Sequence, residues 1–237
     1  MHQIVVANIA IDVIRKDIKN LHLAVYPPTG RVRIAAPLRL EDEALRFFAI
    51  SKLSWIKKHQ RRFASQERQS EREYVSGESH FYNGKRYILE VIFHSAKPKI
   101  VLGHKKLKLL VRENNTKHQR AMVLAEWYRE RLKEQIPSLI DKWGKRMGVE
   151  VRAWGIKQMK TRWGTCNARA QRIWLNLELA KKSDRCLEYV LVHEMVHLLE
   201  RKHSDRFIAL MNEFMPQWRS QKEELNRAIL NYSQWKY

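Results

Sequence analysis

The chain has 237 residues, which is enough for one large domain or two small ones and for a core that needs no disulfides. Its residues are 44% apolar and 30% charged, with only eight Gly and six Pro, which excludes collagen-like and compositionally disordered chains. The formal net charge is +21, from 46 Lys and Arg against 25 Asp and Glu, so we expect polyanions such as nucleic acid or nucleotides to be attracted to it.

The two cysteines, Cys166 and Cys186, are too few for a disulfide framework, and we expect both thiols to be reduced. The apolar N-terminal stretch has no basic residues ahead of it, which favours a strand over a signal peptide. The chain contains no uncharged run of about 18 apolar residues, so no transmembrane helix is predicted. A cytoplasmic protein without a membrane partner is the expectation.

Residues 1–112 are predicted to form a β-rich N-terminal region with one helix. Residues 4–37 are rich in Val and Ile and contain the turn cluster Pro27-Pro28-Thr29-Gly30, which predicts a β-hairpin or meander. Residues 41–63 contain no Gly or Pro and space their apolar side chains at helical intervals. This second segment is therefore predicted to be the helix of the region.

A polar segment of mixed charge at residues 62–79 predicts a linker or a loop. Beyond it, Asn83-Gly84 lies between short apolar runs, which favours a hairpin turn. Residues 87–111 are interrupted only by one Pro and one Gly, so strands are expected to continue there.

Residues 113–237 are predicted to contain most of the helices, together with two strands. Capping residues, helix formers and apolar periodicity predict helices at 116–135, 137–147, 183–199, 204–215 and 216–231 and strands at 149–154 and 172–179. In the third of these helices Ser183 is the predicted N-cap. The fold class predicted from these elements is α+β, with one region at 1–112 and a second at 113–237.

An H-E-x-x-H motif lies inside the strongly apolar helix, at His193, Glu194 and His197. Two histidines four residues apart on a helix are separated by about 40° around the axis and one turn along it, so both imidazoles reach one metal ion. Zn²⁺ suits imidazole ligands, and a catalytic zinc site has three protein ligands and an open position for water. The alternative is a core helix with three hydrogen-bonded polar groups, which is costly without a compensating use.

Glu194 is predicted to be the general base of such a site. It lies about 100° around the helix from His193, where its carboxylate reaches a metal-activated water without binding the ion. The carboxylate would remove a proton as the water attacks and return it to the leaving group.

His203 is the predicted third ligand, six residues after His197. A continuous helix would carry it about 240° around the axis, so the helix must end near residues 200–202. Ser204-Asp205 permits this because it can cap a new helix. Glu200 is the alternative, since it lies seven residues after His193 and could bind the ion or support a ligand.

The segment Lys160-Thr161-Arg162-Trp163-Gly164-Thr165-Cys166 is a second candidate feature. Arg162 could bind a substrate carboxylate or phosphate, and Gly164 would allow a close backbone approach. The alternative is a turn with a buried Trp163 and a surface Arg162. Cys166 is not expected to act as a nucleophile, because a metal-activated water needs none.

The residues around both motifs resemble the YgjP-like metallopeptidase family, which shares a zincin-type catalytic core with the SprT-like proteases. The resemblance covers nearly the whole chain, and its most specific matches are 162–166, 173–176, 189–198, 203–207 and 215–216. Metzincins use the same three-histidine spacing but have Gly where this chain has Glu200, so the chain does not resemble that group.

The resemblance implies a zincin-like core that holds one zinc ion through His193, His197 and His203, with Glu194 catalytic. It also implies a strand beside the active-site cleft between residues 163 and 176. The candidate substrate-binding residues that accompany this strand are Arg162, Trp163 and Asn176.

Three functions fit these observations. The first is a zinc-dependent peptidase acting on a peptide or protein. The second is a nucleotide pyrophosphatase acting on UTP, as some related bacterial sequences are described, in which Arg162, Lys160 or Lys181 would hold phosphates although no Gly-rich phosphate loop accompanies them. The third is a DNA-associated SprT-like protease, for which basic clusters at 57–62, 97–108 and 117–133 would supply non-specific nucleic-acid contacts.

Overall fold

The structure is a computed structural model that describes residues 2–26, 29–65, 72–159 and 162–227. These residues form helices and eleven strands in three sheets, which confirms the predicted α+β class. The chain divides into two compact units, with the division between Glu71 and Arg72. The boundary predicted after residue 112 lies inside the second unit, because the strands before it pack into one core with the helices after it.

The first unit is a four-stranded sheet with two helices. Its elements are β1 (His2–Val6), β2 (Ile9–Lys16), β3 (His22–Tyr26), β4 (Arg31–Pro37), α1 (Asp42–Ser51) and α2 (Leu53–Ser65). The strand order is β1-β2-β4-β3, and β3 and β4 form the predicted antiparallel hairpin, although Pro27 and Pro28 of its turn lie outside the described residues. Alternate residues such as Ile11 and Ile34 fill the core against Leu45.

The single helix predicted over residues 41–63 is two helices that meet at Lys52. The Lys52 N–H bonds to the carbonyls of Ala49 and Ile50, which tightens the last turn of α1 before α2 begins. Nothing in the apolar spacing marks this break, because Leu45 and Ala49 of α1 and Ile56 of α2 are buried in the same core.

The second unit begins with a sheet and a long helix. Its first elements are β5 (Ser79–Tyr82), β6 (Lys85–Phe93), β7 (Lys99–Leu102), β8 (Lys106–Val111) and α3 (Lys117–Met147). The strand order is β5-β6-β8-β7, and the predicted hairpin turn at Asn83-Gly84 is present, with φ of 48° and 71°. Leu89 and Leu109 of the sheet pack in the same core as Leu132 of α3.

Helix α3 is continuous where two helices were predicted. Pro137 lies inside this helix. The proline ring has a helical φ, and its missing N–H removes one backbone hydrogen bond without ending the helix. Buried residues on both sides of the proline, Ile136 and Trp143 among them, hold the two halves in one core.

The rest of the second unit carries the metal-binding motif. Its elements are β9 (Ala153–Lys157), β10 (Gly164–Asn167), β11 (Arg172–Asn176), a 3-10 helix (Leu177–Lys181), α4 (Asp184–Val196), α5 (Asp205–Phe214) and α6 (Trp218–Arg227). The strand order β10-β11-β9 makes β10 an edge strand, which pairs with β11 alone among the described strands. Helix α4 packs against β10, β11, α3, α5 and α6.

Two predicted elements in this part end earlier than expected. The strand predicted over residues 172–179 stops at Asn176, whose side chain caps the 3-10 helix by accepting from the Glu178 N–H. The helix predicted to reach Leu199 stops at Val196, with the predicted Ser183 cap at its start. In the part of the chain that the structure describes, no helix is long and apolar enough to cross a membrane.

Candidate metal centre

Three imidazoles converge at the C-terminal end of α4. His193 lies in its last turn, His197 is its C-cap, and His203 lies in the segment before α5. One ring nitrogen from each histidine lies within 4.8 Å of the other two, and the Nε2 atoms of His193 and His203 are 3.0 Å apart. Zinc bonds to imidazole of about 2.0–2.1 Å place two tetrahedral ligands about 3.3 Å apart. The three nitrogens are therefore close enough together to bind one ion.

A tight turn after α4 brings His203 back to the helix. The N–H groups of Leu199 and Glu200 both bond to the Val196 carbonyl at 2.9 Å. Ser204 then starts α5 by accepting from the Phe207 N–H at 3.4 Å. This is the helix end and restart that the spacing of His203 required.

Glu200 supports the site through its backbone. Its carbonyl oxygen lies 3.1 Å from His197 Nδ1, and because a carbonyl only accepts, Nδ1 carries the hydrogen and Nε2 keeps its lone pair. The Glu200 carboxylate accepts from the Lys202 N–H at 3.0 Å. The sequence left open whether Glu200 binds the ion or supports a ligand, and the geometry matches the second role.

The surroundings of His193 and His203 favour the neutral form of both imidazoles. Burial, together with the nearby His197, His203 and Lys222, lowers the pKa of His193 to about 4. Burial also lowers the pKa of His203, with His197 and Lys222 acting in the same direction. Neutral imidazole is the form that binds a metal ion, so these ligands need lose no proton at pH 7.

The donor set fits zinc. Three imidazoles without a carboxylate or a thiolate among them match the borderline softness of Zn²⁺ and disfavour Mg²⁺ and Ca²⁺, which take oxygen ligands. Within the described ranges, this is the group of three metal-binding side chains that lies close enough to share an ion.

Glu194 lies beside the histidines and against Gly164, the first residue of β10. The glutamate is 7% exposed, and burial raises its pKa to about 7 while the charge of Arg162 acts in the opposite direction. A Cβ at Gly164 would lie 2.7 Å from Glu194 Cγ and 2.8 Å from Oε1, closer than real Cβ contacts. Position 164 therefore needs glycine for the carboxylate to lie where it does.

The predicted substrate-binding residues occupy different environments. Arg162 is exposed and Trp163 is half-buried, with Lys182 Nζ 5.7 Å from the centre of its ring. Lys160 and Thr161 lie outside the described residues. Lys181, a predicted phosphate ligand, pairs with both carboxylate oxygens of Glu178 at 2.7 and 2.8 Å.

Asn176 is buried, and its carboxamide is occupied by the backbone. Its Nδ2 donates to the carbonyls of Met159 at 2.9 Å and Arg162 at 2.7 Å, and its Oδ1 accepts from the Glu178 N–H at 3.2 Å. The substrate-binding role expected for Asn176 stays a prediction, and in the structure its carboxamide holds the neighbouring backbone. It fixes the segment that carries Arg162 and Trp163 beside the metal centre.

Two residues at the site were missed by the sequence reasoning. The ring of Phe207 packs against all three imidazoles, and Lys222 of α6 acts electrostatically on His193 and His203. The spacing of buried Phe207, Met211 and Phe214 on α5 is the signal of a core helix, which does not reveal what the ring contacts.

The start of α4 is held by a distant turn. Asn83 Oδ1 accepts from the Asp184 N–H at 3.0 Å, next to the Ser183 cap. The Asn83 and Gly84 N–H groups donate to the carbonyls of Ala180 and Lys181. The β5–β6 turn therefore fixes the helix that carries the metal ligands.

Comparison with known proteins gives one family. The model of the YgjP-like metallopeptidase domain matches residues 19–228, a range that includes the three histidines, Glu194 and Gly164. A separate search of curated proteins found no match. The match spans both units and confirms the resemblance seen in the motifs. With this match over most of its length, the chain belongs to the YgjP-like family, whose domain is that of a metallopeptidase.

Proposed function

We propose that the protein is a zinc-dependent metallopeptidase with a zincin-like catalytic core. The observation that carries the proposal is the convergence of three imidazoles beside a buried carboxylate that contacts an edge strand. The family supplies the metallohydrolase class. Zinc as the ion, a peptide as the substrate and the role of each residue belong to the proposal.

His193, His197 and His203 would hold the ion, which when bound supplies a Lewis acid that activates water and polarises a carbonyl. Glu194 takes the proton from the attacking water and returns it to the leaving amine. Gly164 leaves the room that the Glu194 carboxylate occupies, and the burial that raises the pKa of Glu194 favours the protonated form that the second step needs.

Strand β10 offers the substrate a backbone to pair with. One of its sides bonds to β11, and among the described strands none pairs with the other side. Because Gly164 at its start touches Glu194, an extended peptide added to this edge passes the carboxylate. Backbone pairing of this kind holds peptides of varied sequence.

The test compares the wild type with Glu194→Gln and His193→Ala, using metal analysis and cleavage of a degenerate fluorogenic peptide library. Glu194→Gln should keep the zinc and lose turnover by about 10²–10⁴-fold, the usual contribution of general acid–base catalysis. His193→Ala should lose both. Unchanged cleavage by Glu194→Gln would contradict the mechanism, and no cleavage by zinc-loaded wild type would contradict a peptide substrate.

A nucleotide pyrophosphatase acting on UTP is the second candidate, favoured by two cations near the centre. Arg162 acts on Glu194, and Lys222 acts on His193 and His203. Both side chains are exposed, so phosphates in solution can reach their charges. Pyrophosphate release from UTP that disappears in Glu194→Gln would put this activity first, and its absence would leave the peptidase ahead.

Non-specific nucleic-acid association is proposed for the basic surface of α2. Lys57, Lys58 and Arg61 are exposed on this helix, which contains no acidic residue, and Trp55 is 42% exposed next to them. Cations beside an exposed ring suit a single strand, with the ring stacking on a base. Retention on single-stranded DNA should fall steeply with salt, and a shallow salt dependence would contradict the association.

A further inference from the structure

The apolar ring of Phe207 packs against the imidazoles of the proposed metal centre. Its centroid lies 5.0 Å from the ring of His193, 4.8 Å from that of His197 and 4.7 Å from that of His203. The side chain is 2% exposed. One buried residue therefore touches all three candidate ligands at nearly equal distances.

His197 and His193 differ in the hydrogen bonds of their second ring nitrogen, and the difference indicates what the Phe207 ring does. A metal-binding histidine almost always donates its second ring N–H to an acceptor, which fixes the ring orientation. His197 does so to the Glu200 carbonyl. His193 Nδ1 is buried and has no hydrogen-bond partner among the residues that the structure describes.

The orientation of His193 must therefore come from packing. The Phe207 ring meets the His193 ring at 68°, edge to face, and the Tyr189 ring meets it at 62° from a centroid distance of 6.0 Å. Phe207 is the closer of these two aromatic rings by about 1 Å. It also contacts His203, whose Nε2 lies 3.0 Å from that of His193.

Phe207 is itself held firmly. Its N–H donates to Ser204 Oγ in the cap of α5, directly after His203. Met211 and Phe214 anchor the same side of α5 in the core. Phe207 and His203 thus belong to the same capped turn, so the distance between their rings is fixed by that turn.

We propose that Phe207 is a positioning residue for the metal centre, holding the three imidazoles, and His193 above all, in the arrangement that binds one ion. The inference rests on the proposed binding of an ion by His193, His197 and His203. In this role the ring does for His193 what the Glu200 carbonyl does for His197.

The experiment compares Phe207→Leu with Phe214→Leu, a matched loss of a buried ring on the same helix. Zinc affinity is measured by competition with a chromophoric chelator, and ligand geometry by the visible absorption of the Co²⁺-loaded protein. Phe207→Leu should weaken zinc binding by about 10–100-fold, as other losses of ligand support do, and change the Co²⁺ bands. Phe214→Leu should leave both readouts close to the wild type.

Equal affinities and equal Co²⁺ spectra in the two variants and the wild type would overturn the proposal. So would equal losses in both variants, because they would indicate general packing. If thermal melting shows that Phe207→Leu does not fold, Phe207→Met, which keeps an adaptable apolar side chain, decides between the same outcomes. Failure of the wild type to bind Zn²⁺ or Co²⁺ would instead overturn the metal centre itself.

Discussion

Gly164 and Glu194 are in direct contact, so the catalytic carboxylate proposed here is placed by the absence of a side chain on the neighbouring strand. An ordinary strand residue would put a Cβ within 2.7 Å of Glu194 Cγ. The strand and the helix can approach this closely only because one of the two positions is glycine.

Gly164→Ala should therefore disable turnover without removing the metal. The new methyl group would displace the carboxylate, and a shift of about 1 Å in a catalytic group costs on the order of 10²-fold in rate. Zinc content should stay at the wild-type value, because the three atoms nearest to the new methyl group all belong to Glu194 and not to a histidine. Gly103→Ala, in the β7–β8 turn of the same unit, is the control, and an equal loss of rate in both variants would argue against a specific contact.

Zinc should stabilise the folded protein, because the ligands converge only in the native state. A ligand at about 1,000 times its dissociation constant adds about 4 kcal/mol to the free energy of unfolding. Thermal melting of the metal-free protein with added Zn²⁺ should show a rise in Tm that His203→Ala reduces. Mg²⁺ is the control ion, and a comparable rise with Mg²⁺ would contradict an imidazole site.

His80 should make the stability of the metal-free protein depend on pH. Burial lowers its pKa to about 4, with Arg72 and Lys181 acting in the same direction and the Glu78 carboxylate, 3.1 Å away, acting against them. Between about pH 4 and 6.5 the unfolded chain binds a proton that the native state does not, so the free energy of unfolding rises with pH.

The expected gain over that interval from His80 is roughly 1–3 kcal/mol, and it is complete above about pH 6.5. Urea unfolding of the chelator-treated protein at pH 4.5 and pH 7 measures it. His80→Gln can still bond to Glu78 but does not titrate, so the pH dependence should shrink in this variant. An unchanged dependence would show that other groups cause it.

Asn83 should stabilise α4 from a distance. Asn83→Ala removes the acceptor for the Asp184 N–H and places alanine at a φ of 48°, so a loss of about 1–2 kcal/mol is expected in urea unfolding. Asn83→Gly also removes the acceptor but tolerates the positive φ, so it isolates the cap. If Asn83→Gly has the same free energy of unfolding as the wild type, the long-range cap makes no measurable contribution to stability.

Features with short-range causes could be predicted from the sequence. The Ser183 cap, the Asn83-Gly84 turn and the two helical histidines four residues apart each depend on neighbours within a few positions, and each is present. The α+β class followed from the sum of such signals.

Features with long-range causes could not be predicted in the same way. Pro137 marks a helix end by local rules, but the core on both sides keeps α3 continuous. Asn176 was expected to contact substrate, and only the folded chain brings the Met159 and Arg162 carbonyls to its carboxamide. The predicted helix at residues 204–215 includes Phe207, but the sequence did not show that its ring is a neighbour of three imidazoles.

The bond between Asn83 and Asp184 joins residues 101 positions apart. During synthesis the residues of the β5–β6 hairpin leave the ribosome before the histidines of α4, so the segment that caps this helix is already available when the helix emerges. The hairpin that caps α4 is therefore synthesised before α4 itself. A circular permutant that begins near residue 113 would reverse this order, and its metal centre should assemble more slowly than that of the natural chain, although the final contacts are the same.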